Sequence, residues 1–161
     1  MAVQVGDKIP VVDIKTMGPE GGPVGINTGE ALGSGKVVLF AVPGAFTPGC
    51  SKVHLPGFVT RAQDLTAKGV DTIACVSVND AWVMQAWAES QGVGDSIVML
   101  ADGSGEFTAA MGLAMDGSAF GLGSRSQRYA AVIEDGVITH LDVEAPGQMS
   151  VSTCDAVLDR I

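Results

Sequence analysis

The residues best suited to chemistry in this sequence lie in one stretch of eight, residues 43–50, which reads PGAFTPGC. Two prolines and two glycines restrict the backbone of this stretch to an unusual path. An apolar strand precedes it and a helical pattern follows it, so Cys50 falls in the first turn of a helix. Unpaired N–H groups and the positive end of the helix dipole favour a thiolate there, and the thiolate is the nucleophilic form of cysteine.

Two neighbours of Cys50 fit a small reactive site. Thr47 lies three residues earlier, so its hydroxyl can contact a bound substrate within one turn of the sulfur. Pro43 can wall the pocket and shield the thiolate from water. The structural alternative is that Thr47 and Pro48 only start the helix, and that Cys50 is a small buried apolar residue. The position outside the carboxyl end of a strand, where ligands bind in α/β proteins, favours the functional interpretation.

The elements that must position this stretch alternate between strands and helices. Apolar runs typical of strands buried on both faces alternate with helical patterns in this order: strand 36–42, helix 50–68, strand 70–78, helix 81–91, strand 97–101 and a short helix around 106–111. Strands at 129–133 and 137–143 flank an Asp-Gly turn, which indicates a hairpin. We therefore predict one domain, residues 1–161, with an α/β thioredoxin-like fold: a mixed central sheet with helices on both faces.

Three local features refine this prediction. Pro56 lies inside the helical pattern after Cys50, where it removes a backbone donor and should kink the helix. Residues 18–35 are rich in Gly, Pro, Asn and Ser and are predicted to be a surface loop. Ser150 and Ser152 can cap a last helix that ends at Ile161.

The sequence around Cys50 resembles the active-site signature of peroxiredoxins, in the wording of their peroxiredoxin 5-like (type II) subfamily. Residues 42–58 carry the resemblance with VPGAFTPGCSKVHLPGF, and IACVSVNDA at 73–81 and GSRSQRY at 123–129 agree with it. The similarity extends over nearly the whole chain. It implies a thiol peroxidase with a thioredoxin-like fold, acting on hydrogen peroxide and alkyl hydroperoxides.

The resemblance also assigns roles to single residues. The Pro-x-x-x-Thr-x-x-Cys motif of the family falls on Pro43, Thr47 and Cys50, and its distant arginine falls on Arg128. Cys50 would attack a peroxide oxygen and become a sulfenic acid, while Thr47 and backbone N–H groups hold the peroxide. Arg128 would keep the thiolate charged and stabilise the leaving oxygen. This chemistry requires no metal, flavin, haem or other cofactor.

Four further residues are predicted to form the substrate pocket: Phe46, Gly49, His54 and Phe120. His54 lies four residues after Cys50 and could be a thiolate partner or general base, but packing or hydrogen bonding near the pocket mouth is favoured. In the family, the region of Phe120 lines an apolar pocket mouth and contributes to a homodimer contact. Its structural alternative is a glycine-rich turn with one exposed phenylalanine.

Two further basic residues have no motif that supports a functional role. Arg125 and His140 are both predicted to face solvent.

Two cysteines could reduce the sulfenic acid, because cysteines at both positions resolve in different branches of the subfamily. Cys154 follows Ser150 and Ser152 at a junction predicted to be exposed and mobile, which favours it. Cys75 lies in an apolar strand and is predicted to be buried. An external thiol such as glutathione or a glutaredoxin is a third possibility, and thioredoxin is the expected reductant of an internal disulfide.

Composition excludes several other classes of protein. The 161 residues carry 9 Lys and Arg against 18 Asp and Glu, a formal net charge of −9, which disfavours nucleic acid and anionic membranes as partners. The 3 cysteines show no Cys-x-x-Cys spacing and form neither a disulfide framework nor a zinc site. No membrane span or secretory signal is visible, so a cytoplasmic location is expected, with a removed organelle transit peptide as the alternative.

Three rival functions remain open at this point. A Cys–His hydrolase would use Cys50 as nucleophile and His54 or His140 as base, but no further motif supports it. A non-catalytic thiol redox sensor and an oxidised-state chaperone would both dispense with turnover. The presence of Thr47 and Arg128 together with Cys50 favours catalysis.

Overall fold

The computed structural model describes all 161 residues. Nine strands and six α-helices follow one another as β1 Asp13–Met17, β2 Pro23–Asn27, α1 Thr28–Leu32, β3 Lys36–Ala41, α2 Leu55–Thr60, α3 Ala62–Ala67, β4 Thr72–Ser77, α4 Ala81–Ser90, β5 Val98–Ala101, α5 Glu106–Met111, β6 Ala114–Asp116, β7 Ser124–Ser126, β8 Tyr129–Glu134, β9 Val137–Val143 and α6 Cys154–Arg160. A π-helix, Cys50–His54, runs directly into α2, and a 3₁₀ turn, Ser118–Phe120, lies between β6 and β7. None of the helices has both the length and the apolar character that crossing a bilayer requires.

Seven strands form one mixed sheet in the order β2-β1-β5-β4-β3-β8-β9. The central strands β3, β4 and β5 are parallel, because helices connect them. The strands β1 and β2 on one side and β8 and β9 on the other pair antiparallel. The predicted mixed sheet and the predicted hairpin are thus confirmed.

Alternate residues of β3 enter two separate cores. Val38 and Phe40 face a cluster of 24 buried residues that packs under α2, α3, α4 and α6, whereas Val37 and Leu39 face a second cluster of 16 under α1 and α5. Both faces of a central strand are therefore apolar, which explains its continuous hydrophobic run. Helices on both faces of the sheet are confirmed.

The predicted loop at 18–35 is wrong, because it contains β2 and α1. The strand β2 pairs with β1 in a hairpin at the sheet edge. The side chain of Asn27 caps α1 by accepting a hydrogen bond from the Glu30 N–H. Edge strands bury little, so their composition resembles that of a loop.

The predicted helix at 50–68 is also different in the structure. It is divided into the π-helix, α2 and α3, with the break between α2 and α3 at Arg61. Pro56 occupies the first turn of α2, directly after the π-helix, where no N–H is needed. Gly69 follows α3 with a φ of +89°, the left-handed conformation that a glycine after a helix commonly adopts. The last helix begins at Cys154 and is capped by Thr153, rather than by Ser150 or Ser152.

Candidate active site

Cys50 lies at the carboxyl end of β3, in the first turn of the helix that follows it. Pro48 is the first helical residue, and the Ser51 N–H donates to the Thr47 carbonyl at 2.9 Å. The helix then widens to a π-turn, in which the Leu55 N–H donates to the Cys50 carbonyl. The Cys50 side chain is fully buried. The position predicted from the sequence, at the start of a helix after a buried strand, is the one that the structure shows.

The loop before Cys50 is held by hydrogen bonds at both ends. The Thr47 hydroxyl donates to the Gly44 carbonyl at 2.7 Å. The Ala45 N–H donates to Asn79 Oδ1 at 3.0 Å, so the end of β4 supports this loop. Phe46 has a φ of +65°, which is strained for an aromatic residue, and its side chain is 55% exposed. Strain of this kind persists only where the surroundings fix the backbone, as they do here.

Arg128 lies just before β8, the strand that pairs with β3, and its side chain reaches the Cys50 sulfur beyond the carboxyl end of β3. Its Nη2 donates to Cys50 Sγ at 3.2 Å, and its Nη1 donates to His54 Nδ1 at 2.9 Å. Gly49 makes room for this approach: a Cβ there would lie 3.3 Å from Arg128 Nη2 and 3.1 Å from Met149 Cε. A guanidinium at this distance stabilises negative charge on sulfur and on any oxygen bonded to it.

His54 is buried beneath the site rather than at its mouth. Because arginine has only donors, His54 Nδ1 accepts from Arg128, and Nε2–H donates to the Ser152 carbonyl at 2.8 Å. The ring also packs against Phe40 and Phe58. Burial lowers the pKa of His54 to about 4; the Arg128 charge also lowers it, whereas the hydrogen bond to Ser152 raises it. Both nitrogens of this neutral imidazole form hydrogen bonds. His54 therefore has the packing and hydrogen-bonding role that the sequence favours, and not that of a thiolate partner or general base.

The other two cysteines are free thiols and are both buried. Cys75 lies on β4 opposite Phe40 of β3, as predicted for an apolar strand. Burial, and then the nearby Cys50, raise the pKa of the Cys75 thiol well above its usual value. The prediction that Cys154 is exposed is wrong: it is 2% exposed at the start of α6, and burial raises the pKa of its thiol to about 11.

Phe120, predicted in the substrate pocket, and Arg125 and His140, predicted to face solvent, divide between exposed and half-buried positions. Phe120 is 85% exposed on the 3₁₀ turn. Arg125 does not simply face solvent: it is half-buried, and its guanidinium donates to the Leu122 carbonyl at 2.9 Å and to the Pro43 carbonyl at 3.4 Å. His140 is also half-buried, and its Nδ1 has no hydrogen-bond partner. Arg125 therefore braces the loop that carries Pro43.

Sequence reasoning did not single out Asn79 or Glu144. Asn79 falls within the segment 73–81 that agrees with the family resemblance, and Glu144 follows a strand with no motif around it. No group of three or more His, Cys, Asp or Glu side chains in the structure could hold a metal ion.

The fold and this site together define a class of protein. The Redoxin family matches residues 4–158, and the chain belongs to that family. Peroxiredoxin-2E-2, chloroplastic, of Oryza sativa subsp. japonica is 50% identical over 99% of this chain and 72% of its own length. Peroxiredoxin-2B of Arabidopsis thaliana is 43% identical over 99% of this chain and 98% of its own.

A solved structure agrees closely. Reduced Prx3 of Vibrio vulnificus in complex with H₂O₂ has 50% sequence identity and a TM-score of 0.93, with 98% of each chain covered. Within the Redoxin family the chain is a peroxiredoxin, an oxidoreductase of the thiol peroxidase type. The resemblance found in the sequence is thus confirmed.

Proposed function

We propose that the protein reduces hydrogen peroxide and alkyl hydroperoxides with Cys50 as the attacking thiolate. The observation that carries this proposal is the Arg128 guanidinium 3.2 Å from Cys50 Sγ. The sulfur attacks one peroxide oxygen and the O–O bond breaks. The other oxygen takes up a proton and leaves as water or an alcohol, and Cys50 becomes a sulfenic acid. Sulfur is oxidised by two electrons and the peroxide is reduced by two.

The surrounding residues divide the remaining work. Arg128 faces the sulfur and the developing negative charge on the leaving oxygen. Thr47, half-buried one turn before Cys50, offers its hydroxyl to the peroxide, and Pro43 and Phe46 wall the entrance. Gly49 leaves the space that Arg128 and the substrate need. The exposed Phe120 supplies an apolar rim suited to an alkyl peroxide.

Of the three ways to reduce the Cys50 sulfenic acid, by Cys154, by Cys75 or by an external thiol, the geometry best supports attack by Cys154. Cys154 packs against α2, since a Cβ on Gly57 would lie 4.0 Å from Cys154 Cβ. It begins a short terminal helix, whereas Cys75 is fixed in the centre of the sheet between β3 and β5. Both sulfurs of a Cys50–Cys154 bond are buried, so the bond requires local unwinding of the π-helix. Thioredoxin would then reduce the disulfide, and glutaredoxin or glutathione would act if no internal disulfide forms.

Peptide mapping after oxidation tests both steps. The reduced protein receives about one equivalent of hydrogen peroxide, is alkylated and is digested without reductant. A Cys50–Cys154 linked peptide is expected, and a Cys154→Ser variant should instead retain a sulfenic acid at Cys50. A Cys50–Cys75 link would make Cys75 the resolving residue in place of Cys154. A sulfenic acid at Cys50 with Cys75 and Cys154 both free would indicate an external thiol as reductant. Cys50 still reduced while peroxide remains would overturn the peroxidase assignment.

We also propose a homodimer and a cytoplasmic location. The support for the dimer is two exposed aromatic side chains, Phe46 in the loop before Cys50 and Phe120 on the 3₁₀ turn. Light scattering of the wild type and of a Phe120→Asp variant tests it, since the variant should dissociate. Cell fractionation tests the location; the rice relative is chloroplastic by its name.

A further inference from the structure

A buried carboxylate that the peroxidase chemistry does not use lies behind the active site. Glu144, directly after β9, is 7% exposed. Its Oε2 accepts four hydrogen bonds: from the N–H groups of Ser150, Val151 and Ser152 at 2.8, 2.9 and 2.8 Å, and from the Ser152 hydroxyl at 2.7 Å. Burial by itself raises the pKa of this carboxyl, but these hydrogen bonds outweigh it and lower the pKa below its usual value. Glu144 is therefore a charged anchor for the segment 150–152.

This anchor is connected to Cys50 by an unbroken chain of hydrogen bonds. The Ser152 carbonyl accepts from His54 Nε2–H, His54 Nδ1 accepts from Arg128, and Arg128 donates to Cys50 Sγ. The Glu144 N–H also donates to the Arg128 carbonyl at 2.9 Å, so the same residue holds both ends of the chain. Each link fixes the next: the Ser152 carbonyl determines which His54 nitrogen carries the proton, and so leaves Nδ1 free to accept from Arg128.

We propose that Glu144 is a positioning residue for the peroxidase reaction, which holds the Arg128 guanidinium against Cys50 through Ser152 and His54. The inference rests on the proposed function. It assigns to this carboxylate no contact with substrate, only the placement of the group that stabilises the leaving oxygen. Without the anchor, segment 150–152 no longer presents its carbonyl to His54. The imidazole then populates both neutral tautomers, and Arg128 loses its acceptor.

Cys154 lies two residues after segment 150–152, next to Thr153. Glu144 therefore also holds Cys154, the proposed resolving cysteine, in its buried position while the site is assembled. Movement of Cys154 towards Cys50 withdraws the support of Arg128. The site that attacks peroxide and the arrangement that forms the disulfide thus exclude each other.

The test compares two reactions of Cys50 in Glu144→Ala, Glu144→Gln and the wild type. Hydrogen peroxide needs the aligned Arg128, whereas iodoacetamide needs only an accessible thiolate. We expect the peroxide rate constant of Glu144→Ala to fall roughly tenfold or more, as for residues that orient a reacting group. Displacement of Arg128 from the sulfur also lowers the thiolate fraction, which slows both reactions alike, so the peroxide rate constant should fall roughly tenfold more than the alkylation rate constant. The peroxide rate constant of Glu144→Gln should lie between those of the wild type and Glu144→Ala, because glutamine keeps a hydrogen-bond acceptor without the charge.

A matched control is Glu134→Gln, an exposed glutamate at the opposite end of the hairpin, which should leave both rates unchanged. If Glu144→Ala only destabilises the fold, its alkylation rate should rise with the unfolded fraction. In that case the same two rates are compared in Glu144→Gln and in Ser152→Ala. The Ser152→Ala change removes the hydroxyl that donates to Glu144 and keeps the backbone N–H groups.

Nitrogen NMR of the two histidines gives a readout that loss of stability does not imitate. The wild type should show His54 only as the Nε2–H tautomer, assigned with a His140→Gln variant, and Glu144→Ala should show a mixture. A Glu144→Ala protein with an unchanged peroxide rate and an unchanged His54 tautomer would overturn the inference. A wild type that does not react with peroxide would instead overturn the proposed function, and the two failures are therefore separate.

Discussion

Lowering the pH should destabilise this protein through one imidazole. His54 is buried and neutral, with a pKa of about 4, while an unfolded chain binds its proton near 6.5. Between these values the unfolded state holds one proton more than the folded state, so the free energy of unfolding rises with pH. The contribution is complete above pH 6.5 and is lost progressively as the pH falls towards 4. Protonation would place a second positive charge beside Arg128 and remove its acceptor.

The size of the effect follows from the two pKa values. The full difference of about 2.5 units corresponds to about 3 kcal/mol, at about 1.4 kcal/mol per unit. Between pH 7 and pH 5 the loss should be about 2 kcal/mol, because most of the unfolded chains are protonated there and few of the folded ones are. Glu144 faces the same segment, but a carboxyl with a lowered pKa contributes below this window.

Urea denaturation at pH 7 and pH 5 measures the effect, with His54→Gln as the matched variant. Glutamine can donate to the Ser152 carbonyl but does not titrate. The wild type should therefore lose about 2 kcal/mol more than His54→Gln over this interval. Equal losses in the two proteins would refute the reasoning, since they would show that His54 titrates alike in the folded and unfolded states.

Three further predictions concern the site and the core around it. Gly49→Ala places a methyl group 3.3 Å from Arg128 Nη2, so peroxide turnover should fall roughly tenfold while circular dichroism stays unchanged; an unchanged kcat/KM would contradict this. Cys75→Ser puts a hydroxyl into a fully buried apolar position and should lower the free energy of unfolding by about 1–3 kcal/mol more than Cys75→Ala, as measured in urea. Ser51→Ala removes the acceptor of Trp87 Nε1–H, a hydrogen bond of 2.9 Å; it should cost about 1–3 kcal/mol and shift the tryptophan emission, and an unchanged spectrum would argue against this contact.

The central part of the fold could be predicted from the sequence because its signals are local. The strand β3 is apolar on both faces and stands between two cores, so its hydrophobic run is unambiguous. The hairpin of β1 and β2 was missed for the opposite reason. Its strands lie at an edge, are partly exposed, and are held by pairing with each other and with β5 rather than by a pattern of their own.

The same distinction applies to the site. Pro43, Thr47 and Cys50 lie in one short segment, so their proximity can be predicted from spacing alone. Arg128 lies far along the chain, and only a resemblance to a family could place it. The burial of Cys154 could not be predicted, because its polar neighbours resemble a surface junction. The N–H groups of Ser150 and Ser152 and the Ser152 hydroxyl in fact donate to Glu144, a contact that no local pattern encodes.

The π-helix at Cys50–His54 makes the length of this turn as important as its composition. An α-helix would close on the residue four positions later, whereas here the Cys50 carbonyl is bonded five positions on. Lys52 and Val53 are exposed and should accept many replacements. Deleting either one would let the helix continue as a regular α-helix and rotate Cys50 relative to His54 by about 100°. The number of residues in the π-turn therefore sets the orientation of Cys50 relative to His54, so substitutions at Lys52 and Val53 should be tolerated and deletions should not.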